Sequence, residues 1–380
     1  MGKDTPPVPL PEGQNTSILT LPTEILIQIF LYYIPIYPEC PPLFGRHSPS
    51  ILTNVCRWWR TTALDMPKLW RAIHVDLTLS DKPTNLYQKG IVETARTWLV
   101  RSGGSPISVS LTCHQIHAID AQDLNMPATE ILLMECARWE YAIMRLPSHL
   151  SKKLYLKQRF MPLLVAMRLT SVGITSEQAL GQIHAPRLHT FDSRLSQDLH
   201  YFKLFSSDVW SHLTTLKLRD IPLDSAWPIL QGTPALRHCW LELWTPGRGI
   251  NDYTGTILRV LLHLETLIVT SPTTILPPCE PFLRGFVLPS LRRFAIRLAL
   301  MSDLDPPGSL TDPLGIELLV HVLQCWMCEL QVLSILKLPL DGTLDQPIQE
   351  AFQNIAYLEL NRSNNAWYPN PEFWGVDWFS

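Results

Sequence analysis

The chain has 380 residues, 46% of them apolar and 17% charged, and a formal net charge of −3. That apolar share can build a large core and excludes general disorder, while near-neutral charge removes the electrostatic footprint of a nucleic-acid binder. The length suits two or three domains, or one elongated array.

Leucine occurs 62 times, proline 33 times and glycine only 17 times, which implies many short elements with abrupt stops. Residues 1–17 are rich in proline and polar side chains and read as a disordered lead. Pro22 suits a first helical position and Glu24 complements the dipole of the first turn, so a helix is expected from there to about Tyr33, stopped by Pro35 and Pro38. Ile25, Ile29 and Tyr33 form one stripe, Leu26 and Phe30 a second, and Ile27 and Leu31 leave almost no polar face. A helix apolar nearly all round must be buried on several sides, so this one needs a partner. After a proline-rich loop, Ser48 is a possible N-cap and Pro49 a first helical residue. Leu52, Val55, Cys56, Trp59 and Ala63 then repeat at helical spacing, and Pro67-Lys68-Leu69-Trp70 ends the segment.

The ordered segments Leu21-Pro22-x-Glu24-Ile25, Ile29-Phe30, Val55-Cys56-x-x-Trp59-Arg60 and Pro67-x-Leu69-Trp70 resemble the F-box over residues 18–72. The layout is similar to the F-box-like families expanded in mushroom-forming fungi, with a middle loop about ten residues longer than a minimal F-box. The resemblance implies a small helical module that docks on the Skp adaptor, and through it on a cullin. The adaptor-binding residues it implies are Leu21, Pro22, Ile25, Ile29, Val55, Trp59 and Trp70. Read without the resemblance, the same two helices are a helical cap on the rest of the chain.

Beyond Trp70 the pattern changes. Ile73, Val75, Leu77 and Leu79 alternate with polar residues as in a half-buried strand. A helical stretch with Tyr87, Ile91, Ala95, Trp98 and Leu99 on one side comes next, then a strand at Ile107, Val109 and Leu111, a helix over 129–137 and an apolar stretch from Trp139. From Leu164 a frame apolar-x-x-apolar-x-apolar recurs, starting at Leu164, Leu213, Leu236, Leu264, Leu291, Leu330 and Ile355, with a broken copy at Leu188 where Ser193 takes the last position. The frames are similar to leucine-rich repeats, although the asparagine of that consensus is missing. The expected fold class is α/β: an N-terminal helical F-box module followed by an irregular leucine-rich-repeat-like solenoid over residues 73–380. The alternative is an ordinary α/β domain with leucine-rich core strands. The aromatic residues Trp367, Tyr368, Phe373, Trp374, Trp378 and Phe379 would cap the last repeat.

In that frame the positions between the apolar ones face away from the core. Lys217, Arg219, Trp240, Glu242, Ile268, Arg297, Tyr357 and Glu359 are therefore the expected target-binding residues. A one-residue slip would instead place Trp240 in the core and turn Cys239 outward. No enzyme signature occurs: no Gly-x-Gly-x-x-Gly, P-loop, Gly-x-Ser-x-Gly or His-Glu-x-x-His. Cys325 and Cys328 lack a second ligand pair, and Cys113, His114 and His117 lack a carboxylate, so neither cofactor nor metal is expected. No apolar run reaches the ~18 residues of a membrane span, and no signal-like segment opens the sequence. The expectation is a soluble intracellular protein, cytoplasmic or nuclear. It binds neither membrane nor nucleic acid and serves as a non-enzymatic recognition subunit of an SCF-type ligase, holding an unknown target protein. The alternative is a scaffold with no ligase role.

Overall fold

The structure is a computed structural model that describes residues 21–77, 85–113, 127–147, 159–172, 183–194, 204–244, 258–272, 279–301, 314–338, 340 and 342–362. The expected lead over 1–17 and the aromatic residues from Trp367 lie outside these. Helix α1 spans Thr23–Tyr33, and the backbone N–H groups of Ile25 and Leu26 donate to the Pro22 carbonyl. It stops at Ile34, which is extended because it precedes Pro35.

The single helix expected from Pro49 to Ala63 is two pieces. Ser48 does cap the first, a 310 turn over Pro49–Asn54, by accepting from the Ser50 N–H. Cys56 then adopts an extended backbone and its sulfur caps α2 (Arg57–Leu64) by accepting from the Trp59 N–H. Arg60 Nε donates to the Thr53 carbonyl, satisfying an acceptor exposed by the break. The break turns Val55 outward, whereas Leu52, Trp59 and Ala63 remain buried. Phe30 of α1 meets Trp59 of α2 edge to face at 5.1 Å.

The rest is a mixed α/β structure built on one large parallel sheet. Its strands are β1 (Ala72–Asp76), β2 (Ile107–Thr112), β3 (Trp139–Pro147), β4 (Ala166–Val172), β5 (Thr190–Arg194), β6 (Thr215–Ile221) and β7 (His238–Leu243). A short β8 (Arg259–Val260) precedes β9 (Thr266–Thr270), and β10 (Phe286–Val287) precedes β11 (Arg293–Arg297), β12 (Val332–Leu336) and β13 (Tyr357–Asn361). The order of the 11-stranded sheet is β1-β2-β3-β4-β5-β6-β7-β9-β11-β12-β13, so each strand joins beside its predecessor, and β8 pairs with β10 separately. Every frame read from Leu164 onward falls on one of these strands.

Register fixes the faces. One row across the sheet reads Ile73, Val109, Ala142, Met167, Phe191, Leu216, Cys239, Leu267, Phe294, Leu333, Leu358, an unbroken apolar line. Parallel strands require crossovers, and here helices return the chain over this apolar face. They are α3 (Asn85–Arg101), α4 (Pro127–Met134), α5 (Ser207–His212), α6 (Leu223–Gln231), α7 (Glu280–Arg284), α8 (Leu314–Trp326) and α9 (Asp345–Ala351). Trp98, Leu132, Trp210, Ile229, Phe282, Trp326 and Ile348 carry these helices into the same core. Trp326 packs edge to face on Phe294 at 4.9 Å while its indole N–H donates to the Leu283 carbonyl.

Two glycines give opposite expectations. A Cβ on Gly285 would stand 2.6 Å from the ring of Trp227, which itself packs on Phe286. Gly285→Ala should therefore cost about 1–3 kcal/mol in urea unfolding, as overpacking does. Gly90 lies within α3, is exposed and has open space around it. Gly90→Ala should raise stability by roughly 0.5–1 kcal/mol in the same measurement.

Candidate functional site

Two surfaces carry features that the core does not explain. The first is on α1. Leu26 and Phe30 are fully buried, and the opposite side of the helix presents Ile25, Ile29 and Tyr32 at exposures of 49%, 38% and 89%. These positions are spaced four and three apart, so their side chains stand on one face with exposed Pro22 at its start. The neighbouring 310 turn adds exposed Ile51, and Val55 comes after it at 52%. Single exposed apolar residues need no explanation, but a helical face of them does.

The loop after α1 fastens this helix to the sheet. Tyr37 donates its hydroxyl to Glu140 at 2.6 Å, packs edge to face on Tyr141 and lies 3.6 Å beneath the Arg71 guanidinium. Burial, followed by the hydrogen bond to Glu140, raises the Tyr37 hydroxyl well above the ordinary tyrosine range, which keeps it a donor. Ser108 of β2 donates to the Pro38 carbonyl at 2.6 Å and meets the Cys40 sulfur at 3.3 Å. Pro42 bridges to His74 of β1. The longer middle loop is thus a set of contacts to the first three strands.

The second surface is the sheet face away from the core. Its middle row reads His74, Ser110, Ile143, Arg168, Asp192, Lys217, Trp240, Ile268, Ala295, Ser334, Glu359 from β1 to β13. Two residues further on stand Asp76, Thr112, Arg145, Thr170, Arg194 and Arg219. Asp192, 1% exposed, accepts from Arg168 Nε at 2.7 Å and from Arg219 at 3.0 Å, and Asp220 accepts from Arg194 Nε at 2.7 Å. Lys217 Nζ lies 3.5 Å from the Trp240 ring centroid. Burial is the main cause that depresses the Lys217 ammonium to about 8; Asp192, the next largest influence, and Glu242 oppose it, while Arg219 and Arg168 add to it. Arg145 is likewise lowered, by burial first and then by Arg168 and Arg219.

The expected site residues divide accordingly. Pro22, Ile25, Ile29 and Val55 are exposed and Leu21 is half-buried, whereas Trp59 and Trp70 are core residues. Trp70 donates its indole N–H to the Ala63 carbonyl and packs on Trp98, so these two tryptophans support the α1 face and do not form it. On the sheet the parity holds: Cys239 lies in the main core and Trp240 on the other face. The expectation of an outward target surface fails for Trp240, Glu242, Ile268 and Arg297, all of which are buried. Trp240, Ile268, Ala295 and Leu336 form a small second apolar cluster, where Trp240 Nε1 donates to Thr270 and Arg297 donates to the Ser271 carbonyl. Lys217, Arg219 and Glu359 are half-buried, Glu359 accepting from Ser334, and Tyr357 is exposed. Arg145, Arg168, Asp192 and Arg194 are absent from the expected set. The same alternation, applied to β3, β4 and β5, would have found them.

Among the described residues no three His, Cys, Asp or Glu side chains could share a metal ion, and no helix is long and apolar enough to cross a membrane. No protein-family model matches the chain, and no curated protein matches it.

Tyr37→Phe removes the donor to Glu140 and should cost about 1.5–3 kcal/mol in chemical unfolding, the range for a hydrogen bond to a charged group. Lys217 has a folded pKa of about 8 against an ordinary 10.5, so across that interval the unfolded chain binds more protons and this residue's contribution rises with pH. Buried thiols oppose it: burial raises Cys40 and Cys113 to about 11, Cys279 to about 12 and Cys239 higher still. The difference in unfolding free energy between the native chain and Lys217→Met isolates the lysine. It should shift in favour of the native chain as pH rises from 8 to 10.5.

Proposed function

We propose that this chain is a substrate-recognition subunit of an SCF-type ubiquitin ligase. The N-terminal helices act as an F-box module on the Skp adaptor, which links them to a cullin, and the stacked strands act as an irregular leucine-rich-repeat-like solenoid that holds a target protein. The observation that carries the reading is the exposed apolar face of α1, with Pro22, Ile25 and Ile29 at the positions where the F-box resemblance places its adaptor contacts. The strand order, each strand beside its predecessor, supports the solenoid half of the reading.

The chain itself makes and breaks no bond in this reading. It works by position: holding a target on one surface and the adaptor on another raises the effective concentration of target lysines at the conjugating enzyme. Such a device needs a fixed relation between its two surfaces. The contacts of Tyr37, Pro38 and Cys40 with β2 and β3 supply one.

The test is co-purification of the full chain with a Skp adaptor and a cullin. Ile25→Asp and Ile29→Asp place charge on the exposed face without touching the Phe30–Trp59 contact, so thermal melting should stay within about 1 kcal/mol of the native chain. Truncation of interface anchors costs roughly 2–4 kcal/mol, so each substitution should weaken adaptor binding at least about 30-fold. A native chain that captures no adaptor would remove the ligase reading and leave a scaffold.

A further inference from the structure

Lys217 stands in the middle of β6 on the sheet face away from the core, between Asp192 of β5 and Trp240 of β7. One side of it is cationic. Arg219 follows two residues later, about 7 Å along the strand, and Arg194 lies opposite Arg219 on β5. Arg168 of β4 lies beyond Asp192, and Arg145 of β3 completes the cation cluster. Asp192 is shared between Arg168 and Arg219, and Asp220 is bound to Arg194. On the other side the Trp240 ring centroid lies 3.5 Å from Lys217 Nζ and belongs to the small apolar cluster. A half-buried amine placed between guanidinium groups and an indole has the surroundings that convert a lysine from a solvated charge into a nucleophile.

We propose that Lys217 is an acylation site, taking the acyl group of a small acyl phosphate onto its amine. The amine nitrogen adds to the carbonyl carbon, and the carbon–oxygen bond to phosphate breaks with its electron pair on oxygen. The proton lost by nitrogen ends on the released phosphate, so an amide and hydrogen phosphate are the products. An acyl phosphate carries its charge directly beside the carbonyl. Guanidinium groups that hold the phosphate therefore also bring the carbonyl to the amine and stabilise the leaving group. A coenzyme A thioester keeps its phosphates far from its carbonyl, and an uncharged ester has none to hold.

Burial lowers Lys217 to about 8, Asp192 and Glu242 oppose this, and Arg219 and Arg168 add to it. At pH 7.4 about one-fifth of the amine is then uncharged, against about one part in a thousand for an ordinary lysine. A weaker base is also a weaker nucleophile. With the exponent of about 0.4–0.5 that holds for thiols, that loss is about 10- to 20-fold, so roughly a tenfold advantage remains. Acylation leaves a neutral amide, which removes one charge from the crowded cations. The site needs neither the adaptor nor a captured protein, so it is tested independently of the ligase reading.

The test incubates the purified full chain with acetyl phosphate at pH 7.4, then unfolds it and blocks the remaining amines with deuterated acetic anhydride. Mass spectrometry of the peptides reads the light-to-heavy ratio at each lysine over time. Lys217 should acetylate at least tenfold faster than exposed Lys68 and Lys89. Unfolding the chain in guanidinium chloride before the reaction should abolish that difference. The Lys217 rate should level off as pH rises through about 8, while that of an ordinary lysine climbs toward about pH 10. Arg194→Gln alters an exposed side chain, so it should keep the native melting temperature. It should slow acetylation of Lys217 by acetyl phosphate at least threefold and leave the rate with uncharged p-nitrophenyl acetate unchanged. Equal rates at the three lysines, no reaction at Lys217, or a preference that survives unfolding would overturn the proposal. So would an Arg194→Gln effect that is the same for both donors, or acetyl-coenzyme A reacting faster than acetyl phosphate at equal concentration.

Discussion

The constraint on which the structure depends is the register of its parallel strands. Side chains alternate between the faces with a period of two, so a shift of one residue in any strand would exchange core and surface along its whole length. Eleven strands in step therefore need eleven consistent choices, and the row from Ile73 to Leu358 makes them without a polar interruption. The next row contains one polar residue, Ser193, fully buried beside Leu169 and Leu218. A single hydroxyl is tolerated where the surrounding apolar area is so large. The same register that builds the core assembles the charged cluster, because residues between the core positions have no choice of side.

The N-terminal helices solve a different problem. A short helix with almost no polar face cannot be buried all round by one neighbour. The contact of Phe30 with Trp59 covers one side of α1, and the other side stays in solvent. That exposure persists in a chain that has ample core elsewhere to absorb leucine and isoleucine. Burying Ile25 and Ile29 would each contribute roughly 1.5–3 kcal/mol, so a sequence selected for stability alone would place polar residues there.

Legibility tracks the range of the interactions. The recurring frame is local and marks a strand each time, and Ser48 and Pro49 mark a start that the structure keeps. The break at Val55 and Cys56 is not legible, since Leu52, Trp59 and Ala63 keep helical spacing across it while a side-chain sulfur and Arg60 stabilise the interruption. Large side chains mislead in both regions. Trp59, Trp70 and Trp240 suggest contact residues by type, yet aromatic area is equally useful inside, and each of these indoles is covered by packing. The loop contacts are beyond reach of any pattern: Tyr37 and Glu140 are separated by 103 positions, and nothing local in either announces the other.

Strand β3 connects the two surfaces. Near its start Glu140 and Tyr141 hold Tyr37, and through the loop they hold the helix that presents Ile25 and Ile29. Five residues on, Arg145 stands in the cation cluster, about 17 Å along the same extended backbone. A strand paired on both sides cannot bend over that distance without breaking its ladder with β2 or β4. Motion between the α1 face and the cluster is therefore restricted to what the loop permits, and the loop is itself tied at Tyr37, Pro38, Cys40 and Pro42. Rigidity of this kind adds nothing to the affinity of either surface. It sets the distance and direction from one to the other, and under the ligase reading proposed above those are the quantities that determine whether a held target would meet the chemistry performed elsewhere.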